Sequence, residues 1–150
     1  MLWRRVEEAG NFFGRLPWTP EGRRLWEALK PLQPTILTGV PTYTAARKEK
    51  VEWCRRELGF ESIEHVDSAG SWRQYTRRKR DDRNMADRRH GRIITCWSEH
   101  KYHESGQGAI LIDDRESLRE NWEANSGIFV HHCGDVDETL QTLKDLGVLA

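Results

Sequence analysis

Short apolar runs alternate with segments of helical periodicity along this chain. The run at 109–112 has no polar alternation, which predicts a strand buried on both faces of a parallel sheet. Asp113 and Asp114 follow this run, and a helical pattern then leads to Gly127 and a second apolar run at 128–130. The order of strand, helix and strand predicts a parallel β-α-β unit with two carboxylates at the end of its first strand.

The same alternation continues over the rest of the chain. A helix start is indicated by Thr19, a favoured N-cap residue, which is followed by Pro20. Periodicity predicts helices at 2–9, 20–30, 44–58 and 135–149, and strands at 34–41, 62–66 and 92–96. We therefore expect an α/β fold, namely a three-layer, Rossmann-like sheet of four or five mostly parallel strands flanked by helices.

Length and composition limit the interpretation further. The 150 residues fit a single domain, and Lys plus Arg equals Asp plus Glu at 24 each, so the net charge indicates no class of partner. Three cysteines without metal-ligand spacing predict reduced, mostly buried thiols. No apolar run approaches the roughly 18 residues of a membrane span. We expect an intracellular protein without a membrane partner, with a cytoplasmic location preferred and an organellar one left open.

Residues 71–92 differ from the rest of the chain in composition. They contain nine basic and three acidic residues, with two aromatic ones, Trp72 and Tyr75, between them. Such a segment can bind nucleic acid, dock on an acidic protein partner or form a plain solvated surface. We expect that deleting residues 71–91 leaves the fold intact. The candidate contact residues are Arg73, Arg77, Arg78, Lys79, Arg80 and Arg83.

Polar residues with recognisable chemistry follow three of the predicted strands. Asp113 and Asp114 could hold a divalent metal, because adjacent carboxylates at a sheet edge repel each other, or could only cap the next helix. Thr38 and Gly39 could form an anion cradle or an ordinary strand-to-helix turn. Lys101 lies a few residues past a predicted strand end, where its ammonium group can reach a phosphate.

Three short motifs occur in one order along the chain, each after a predicted strand: Leu37-Thr38-Gly39, Lys101 and Leu111-Ile112-Asp113-Asp114. Their order resembles that of the haloacid-dehalogenase-like superfamily of phosphohydrolases. A segment near the start is similar to the lead-in of the 5′-deoxynucleotidase branch of that superfamily: Glu8-Ala9-Gly10-Asn11-Phe12-Phe13. The resemblance extends over most of residues 8–149, and residues 60–91 stand out as an insertion in a single haloacid-dehalogenase-like domain.

The resemblance implies an enzyme that acts on a phosphorylated small molecule. Thr38 would hydrogen-bond the phosphoryl group, and Gly39 would supply a backbone amide. Lys101 would neutralise the charge of phosphate and nucleophile, while Asp113 and Asp114 would hold Mg²⁺, which makes Lys101 and Asp113 the catalytic candidates. The chemistry agrees, because phosphoryl transfer depends on a hard cation, a lysine and oriented donors.

The chain departs from this family at one motif. Family members begin with a strand that ends in Asp-x-Asp, whose first aspartate is the nucleophile and whose second is the acid/base. No such strand precedes residue 8. The literal Asp135-Val136-Asp137 opens the last predicted helix, where acidic residues suit the helix N-terminus, so we interpret it as a helix start.

The absent strand leaves the arrangement of the sheet open. In this family it lies between the strand of Leu37 and the strand of Ile110, and unpaired edges there are a hazard that proteins normally cover. Those two strands could pair directly, the strand at 62–66 could fill the gap and bring Asp67 near the site, or a partner chain could supply a strand.

Two functions follow from the same residues. The first is a Mg²⁺-dependent phosphomonoester hydrolase, nucleotidase-like in its substrate. The second is a catalytically inactive relative that serves as a binding or scaffold subunit of a larger complex and contacts a protein or nucleic-acid partner through the Arg-rich insertion. The missing nucleophile favours the second, because the covalent route is lost, and the retained lysine and aspartates favour the first.

Overall fold

The computed structural model describes residues 2–41, 44–59, 62–67 and 90–150. Its helices are α1 (Leu2–Glu8), α2 (Pro20–Leu29), α3 (Thr44–Glu57), α4 (Arg119–Ala124) and α5 (Val136–Asp145). Its strands are β1 (Ile36–Gly39), β2 (Ser62–Asp67), β3 (His90–Cys96), β4 (Ile110–Asp113) and β5 (Ile128–His131). Short 3₁₀ segments lie at Phe13–Arg15, Lys30–Leu32, Ser98–Glu104 and Glu116–Leu118. Each helix and strand that the pattern predicts is present, with shifted boundaries.

The described strands form two separate parallel sheets. In the larger sheet β3 is central and pairs with β1 on one side and β2 on the other. In the smaller sheet β4 pairs with β5. The predicted α/β class and the parallel strands are therefore confirmed. The described strands form two small sheets where we expected one, and the three-layer, Rossmann-like arrangement stays a prediction.

Two helix starts follow the chemistry of their N-cap residues. Thr19 Oγ1 accepts a hydrogen bond from the Gly22 amide at 3.0 Å, with Pro20 at the first helical position. At α5, Asp135 Oδ1 accepts a hydrogen bond from the Glu138 amide at 3.1 Å. Each bond satisfies one of the amides that a helix N-terminus leaves without an intrahelical partner. The interpretation of Asp135 as a helix start is confirmed.

Helix α2 packs against both sheets. Its Trp26 belongs to a core cluster with Ile93 of β3, against which Ile36 of β1 also packs. Its Leu29 belongs to another cluster with Val130 of β5. Because one helix contributes to both clusters, α2 crosses the space between the two sheets on one face.

The opposite face of the smaller sheet is covered by α4. Leu111 of β4 and Phe129 of β5 form a cluster with Trp122 of α4, and Leu37 of β1 packs against this cluster. Successive side chains of a strand point to opposite faces, so Leu37 and its neighbour Ile36 contact different layers. The face with Ile36 in the larger sheet and the face with Val130 in the smaller sheet are thus both turned towards α2. The faces with Leu37 and Phe129 are both turned towards α4.

An apolar cavity of about 630 Å³ lies between β1 and β4. It is lined by Ile36 and Leu37 on one side and by 108–112 on the other, with Leu29 of α2 and Trp122 of α4 also in its wall. We call this space the β1–β4 cleft.

Direct pairing of β1 with β4, the first arrangement considered for the absent strand, is wrong in the described strands. The second arrangement is also wrong, because β2 pairs with β3 at the far edge of the larger sheet. Asp67 is therefore not brought to the gap beside β4. The supply of a strand by a partner chain is not tested by these pairings.

The Arg-rich insertion falls mostly outside the described residues. Only β2 and the start of β3, from His90, are described within residues 60–92. The expected deletion of residues 71–91 would remove the first two residues of β3, His90 and Gly91, and its effect on the fold stays a prediction. Among the described helices, none combines the length and the apolar character that crossing a bilayer requires.

Two of the three cysteines lie in the core. Cys54 and Cys96 are buried, Cys133 is exposed, and all three are free thiols. Burial raises the pKa of Cys54 to about 11 and that of Cys96 to about 12. The prediction that the cysteines are mostly buried is confirmed, and their reduced state stays a prediction.

Candidate functional site

The carboxyl ends of β1, β3 and β4 meet at one edge of the fold. Thr38 and Gly39 are the last two residues of β1, and Asp113 is the last residue of β4. Lys101 lies in the 3₁₀ segment Ser98–Glu104 that follows β3. The sequence motifs placed these residues after predicted strands, and the fold brings their strand ends together.

Lys101 and Asp113 form a buried ion pair. The Lys101 Nζ to Asp113 Oδ2 distance is 2.6 Å, and the side chains are 11% and 7% exposed, respectively. The other carboxylate oxygen, Oδ1, accepts a hydrogen bond from the Arg115 amide at 3.0 Å. Both oxygens therefore have a donor, which fixes the orientation of the Asp113 carboxylate.

Asp113 is ionised in spite of its burial. Burial is the largest single influence and raises the pKa of Asp113, but the hydrogen bond and charge of Lys101, the Arg115 amide and a contact with Asp114 together lower it below its ordinary value of 3.8. At neutral pH the Asp113 carboxylate is therefore negative.

Lys50 of α3 is a second cation at this edge, which the sequence motifs did not include. Its Nζ donates a hydrogen bond to the Gly39 carbonyl oxygen and lies 3.4 Å from Thr38 Oγ1. It also lies 4.5 Å from the centroid of the Phe13 ring. Thr38 and Gly39 thus contact a lysine directly.

The pKa of Lys50 is lowered from 10.5 to about 8. Burial is the main cause, and the positive charge of Lys101 is the next. A periodicity signal for Lys50 existed in the sequence. Lys50 lies at four-residue spacing with three residues that are buried: Ala46, Cys54 and Leu58. Lys50 is the charged residue of this set.

Gly39 is required where β1 meets the segment after β3. A Cβ atom at residue 39 would lie 1.7 Å from Ser98 Oγ and 3.0 Å from Ser98 Cα. No side chain fits at that separation, and part of the conflict is with backbone. The close approach keeps the strand end and the start of the Ser98–Glu104 segment in contact, and Lys101 lies three residues further along.

The local charge favours an anion. Lys50 and Lys101 contribute two positive charges, and Asp113 contributes one negative charge within the same half-buried region. Asp114 adds a second carboxylate, but this residue is exposed to water, which screens its charge. A phosphoryl group or another carboxylate would meet Lys50 beside the Thr38 hydroxyl group. Glu104 adds a further carboxylate, whose charge acts on Cys96 of β3 together with those of Lys101, Lys50 and Asp113.

The donor chemistry at the end of β4 fits a hard divalent cation in part. Asp113 and Asp114 offer neighbouring carboxylates, and Mg²⁺ is commonly held by one or two carboxylates together with waters and phosphate oxygens. Asp113, however, already accepts from Lys101 and Arg115. Within the described ranges, no group of three or more His, Cys, Asp and Glu side chains converges as a metal site.

The two histidines at the end of β5 face different partners. His131 Nε2 lies 3.0 Å from the Asp114 carbonyl oxygen, whereas His132 Nδ1 lies 2.7 Å from Thr139 Oγ1. Successive strand residues point to opposite faces, so the pair does not converge on one ion.

The predicted contact residues of the Arg-rich insertion cannot be placed relative to this site. Arg73, Arg77, Arg78, Lys79, Arg80 and Arg83 lie outside the described residues.

Comparison of the chain with protein-family models, curated proteins and solved structures gives no match.

Proposed function

We propose that the chain is a haloacid-dehalogenase-like domain that binds the phosphoryl group of a phosphomonoester at the edge formed by β1, β3 and β4. The observation that supports this best is the buried Lys101–Asp113 ion pair next to Lys50, Thr38 and Gly39. A site with two lysines and one ionised carboxylate attracts an anion, and its hydroxyl group supplies an oriented donor.

Each residue has a distinct part in this proposal. Lys50 and Lys101 neutralise phosphoryl oxygens, and Thr38 Oγ1 donates a hydrogen bond to one of them. Asp113 holds Lys101 in place and, with Asp114, is the site at which a bound Mg²⁺ would supply further charge neutralisation to the phosphate. Arg115 positions the Asp113 carboxylate through its amide.

Hydrolysis by this domain needs an attacking carboxylate in addition to these groups. Asp113 is held by two donors, and Asp135 caps α5, so neither is free to attack. These two observations favour the second candidate function, a binding subunit that holds a phosphorylated ligand without turning it over.

Calorimetry tests the binding site directly. Titration of inorganic phosphate and a deoxynucleoside monophosphate, with and without Mg²⁺, is expected to give binding that Lys50→Met weakens about 10- to 100-fold, because a hydrogen bond to a charged group is lost. Lys48→Met on the exposed side of α3 is the matched control and should bind normally. No heat with either anion at millimolar concentration would contradict the proposal.

Turnover distinguishes the two candidate functions. An aryl phosphate and a panel of deoxynucleotides are incubated with Mg²⁺ or with chelator. Binding without phosphate release supports the non-catalytic subunit. Chelator-sensitive release that Asp113→Asn abolishes, in a variant that still melts cooperatively, supports the hydrolase and places a nucleophile in the protein.

A further inference from the structure

The β1–β4 cleft separates two sheet edges that face each other. Val40 donates its amide to the Cys96 carbonyl oxygen of β3 at 2.8 Å. Because alternate residues of a parallel strand bond to the same neighbour, the amides and carbonyls of Leu37 and Gly39 point away from β3. The Gly39 carbonyl agrees with this, since it accepts from Lys50 and not from β3.

The same reasoning applies to β4. The carbonyl oxygens of Ala109 and Asp113 accept from Ile128 and His132, at 2.8 and 2.9 Å. Residues 109, 111 and 113 therefore face β5, and the amides and carbonyls of residues 110 and 112 point to the opposite side. No strand of the described residues pairs with either of these edges.

The walls of the cleft determine what can occupy it. Leu29 of α2 lies on one face and Trp122 of α4 on the other, with Leu37 and Ile110 along the two edges. A segment in this space would have mostly apolar side chains on both faces, with Glu104 also in the lining, and backbone hydrogen bonds on both sides. This is the environment of a central strand in a parallel sheet, where continuous apolar runs occur.

One end of the cleft lies next to charged side chains. Its lining reaches Leu37 of β1 and Ile112 of β4, and the next residues of these strands, Thr38 and Asp113, belong to the candidate site. A strand parallel to β1 and β4 would leave the cleft beside Lys50 and Lys101. Lys101 is ion-paired with Asp113, whereas Lys50 donates to the Gly39 carbonyl oxygen. The positive charge of Lys50 therefore favours an acidic residue at that end.

We propose that the β1–β4 cleft is a docking site for one strand of a partner polypeptide, an apolar segment of about four residues that pairs in parallel with both edges and ends in an acidic residue beside Lys50 and Lys101. The length follows from β1 and β4, which have four residues each. The mode of recognition is strand addition, in which backbone hydrogen bonds give affinity and side-chain pockets give specificity. The proposal does not depend on phosphate binding.

Residue-level hydrogen exchange with a synthetic peptide tests the docking. The probe carries two lysines for solubility, then Val-Ile-Val-Ile and a final Asp, and no phosphate is present. At saturating peptide, the amides of Leu37, Gly39, Ile110 and Ile112 are expected to exchange at least about tenfold more slowly, because they become hydrogen-bonded. A peptide N-methylated at alternate amides is the control and should protect none of them.

Two changes test the register and the charge. Ile110→Pro removes an amide that the β4–β5 ladder does not use, so the variant should fold and lose binding; an unchanged melt with unchanged peptide affinity would contradict the assignment of this edge. Replacing the final Asp of the peptide by Asn should weaken binding about tenfold at low salt.

Other occupants give different results in the same experiment. Absence of protection at millimolar peptide overturns the proposal. Strong protection of all four amides in the chain alone also overturns it, because the edges are then already paired. If that protection rises with protein concentration, the occupant is a second copy of this chain and not a partner polypeptide.

Discussion

Lys50 carries a positive charge into a face of α3 that otherwise contributes buried side chains. Ala46, Cys54 and Leu58 are buried on that face, and the Lys50 ammonium satisfies the outward-pointing Gly39 carbonyl. Burial and the charge of Lys101 both disfavour the protonated form. The ammonium therefore reduces the stability of the folded chain while it provides positive charge for an anion.

Because the buried ammonium group of Lys50 destabilises the folded chain, the effect of Lys50→Met on stability should depend on pH. The pKa of Lys50 falls from 10.5 to about 8 on folding, so between those pH values the unfolded chain holds the proton more tightly, and wild-type stability rises with pH. Below about pH 8 the cost is fully present. The variant should therefore be favoured over wild type at pH 7, and this advantage should shrink by about 1–3 kcal/mol towards pH 10.

Urea unfolding at pH 7, 8.5 and 10 measures this difference. Only the difference between the two proteins is informative, since other groups titrate in the same range in both. Lys48→Met, on the exposed side of the same helix, should follow wild type at all three pH values. A constant difference between Lys50→Met and wild type would mean that Lys50 is not desolvated.

The residues of the site were predictable to different degrees. Thr38, Gly39, Lys101 and Asp113 could be found because each follows an apolar run, and the ends of parallel strands meet at one edge. The Lys101–Asp113 distance could not be found, because it depends on the path of the Ser98–Glu104 segment. Lys50 was missed because it lies on a helix, away from the strand ends at which the site residues were sought.

At the scale of elements, the start of α5 explains why Asp135 and Asp137 have structural roles. Asp135 and Asp137 have the spacing of a catalytic pair, but Asp135 caps the helix and Asp137 forms an exposed ion pair with Arg24 of α2. An N-cap side chain is occupied by the helix amides, and its chemistry is structural.

Substitution of Asp135 should therefore affect stability and not binding. Asp135→Ala is expected to reduce the free energy of unfolding by about 1 kcal/mol, whereas Asp135→Asn should be nearly neutral, because asparagine caps as well as aspartate does. Urea unfolding measures both. Phosphate affinity by calorimetry should equal that of wild type in each variant, and a loss of affinity in Asp135→Asn would place this residue in the site.

Sequence periodicity predicted the elements better than their pairing. The apolar runs at β1, β3 and β4 were recognisable because burial on both faces removes polar alternation. Pairing is a long-range property that no local pattern encodes, so the position of β2 at the outer edge of β3 could not be deduced. For the same reason, the sequence left three arrangements open where the described strands form two sheets.

At the scale of the whole molecule, the connection between β2 and β3 is constrained by their parallel pairing. Ser62 pairs with His90 and Asp67 with Thr95, so the chain that leaves β2 at Asp67 must return along the full ladder to begin β3. The ladder spans five residue steps, or about 17 Å. Parallel neighbours generally need a connection of about a dozen residues or more.

This geometry predicts opposite outcomes for two shortened chains. Replacing residues 68–87 by about twelve Gly and Ser residues should preserve a cooperative urea transition with an unchanged m-value, because the connection is still long enough. Deleting 71–87, which leaves only 68–70 and 88–89 between the strands, should release β2 and lower the m-value, since less surface is buried in the folded state.

The two variants separate the length of the connection from its composition. Both lack the arginines at 73–83, so a difference between them does not come from those arginines. If the Gly-Ser variant also loses its cooperative transition, residues 68–87 contribute to the fold itself, and an Arg-rich segment interpreted as a partner-binding insertion would instead be part of the domain.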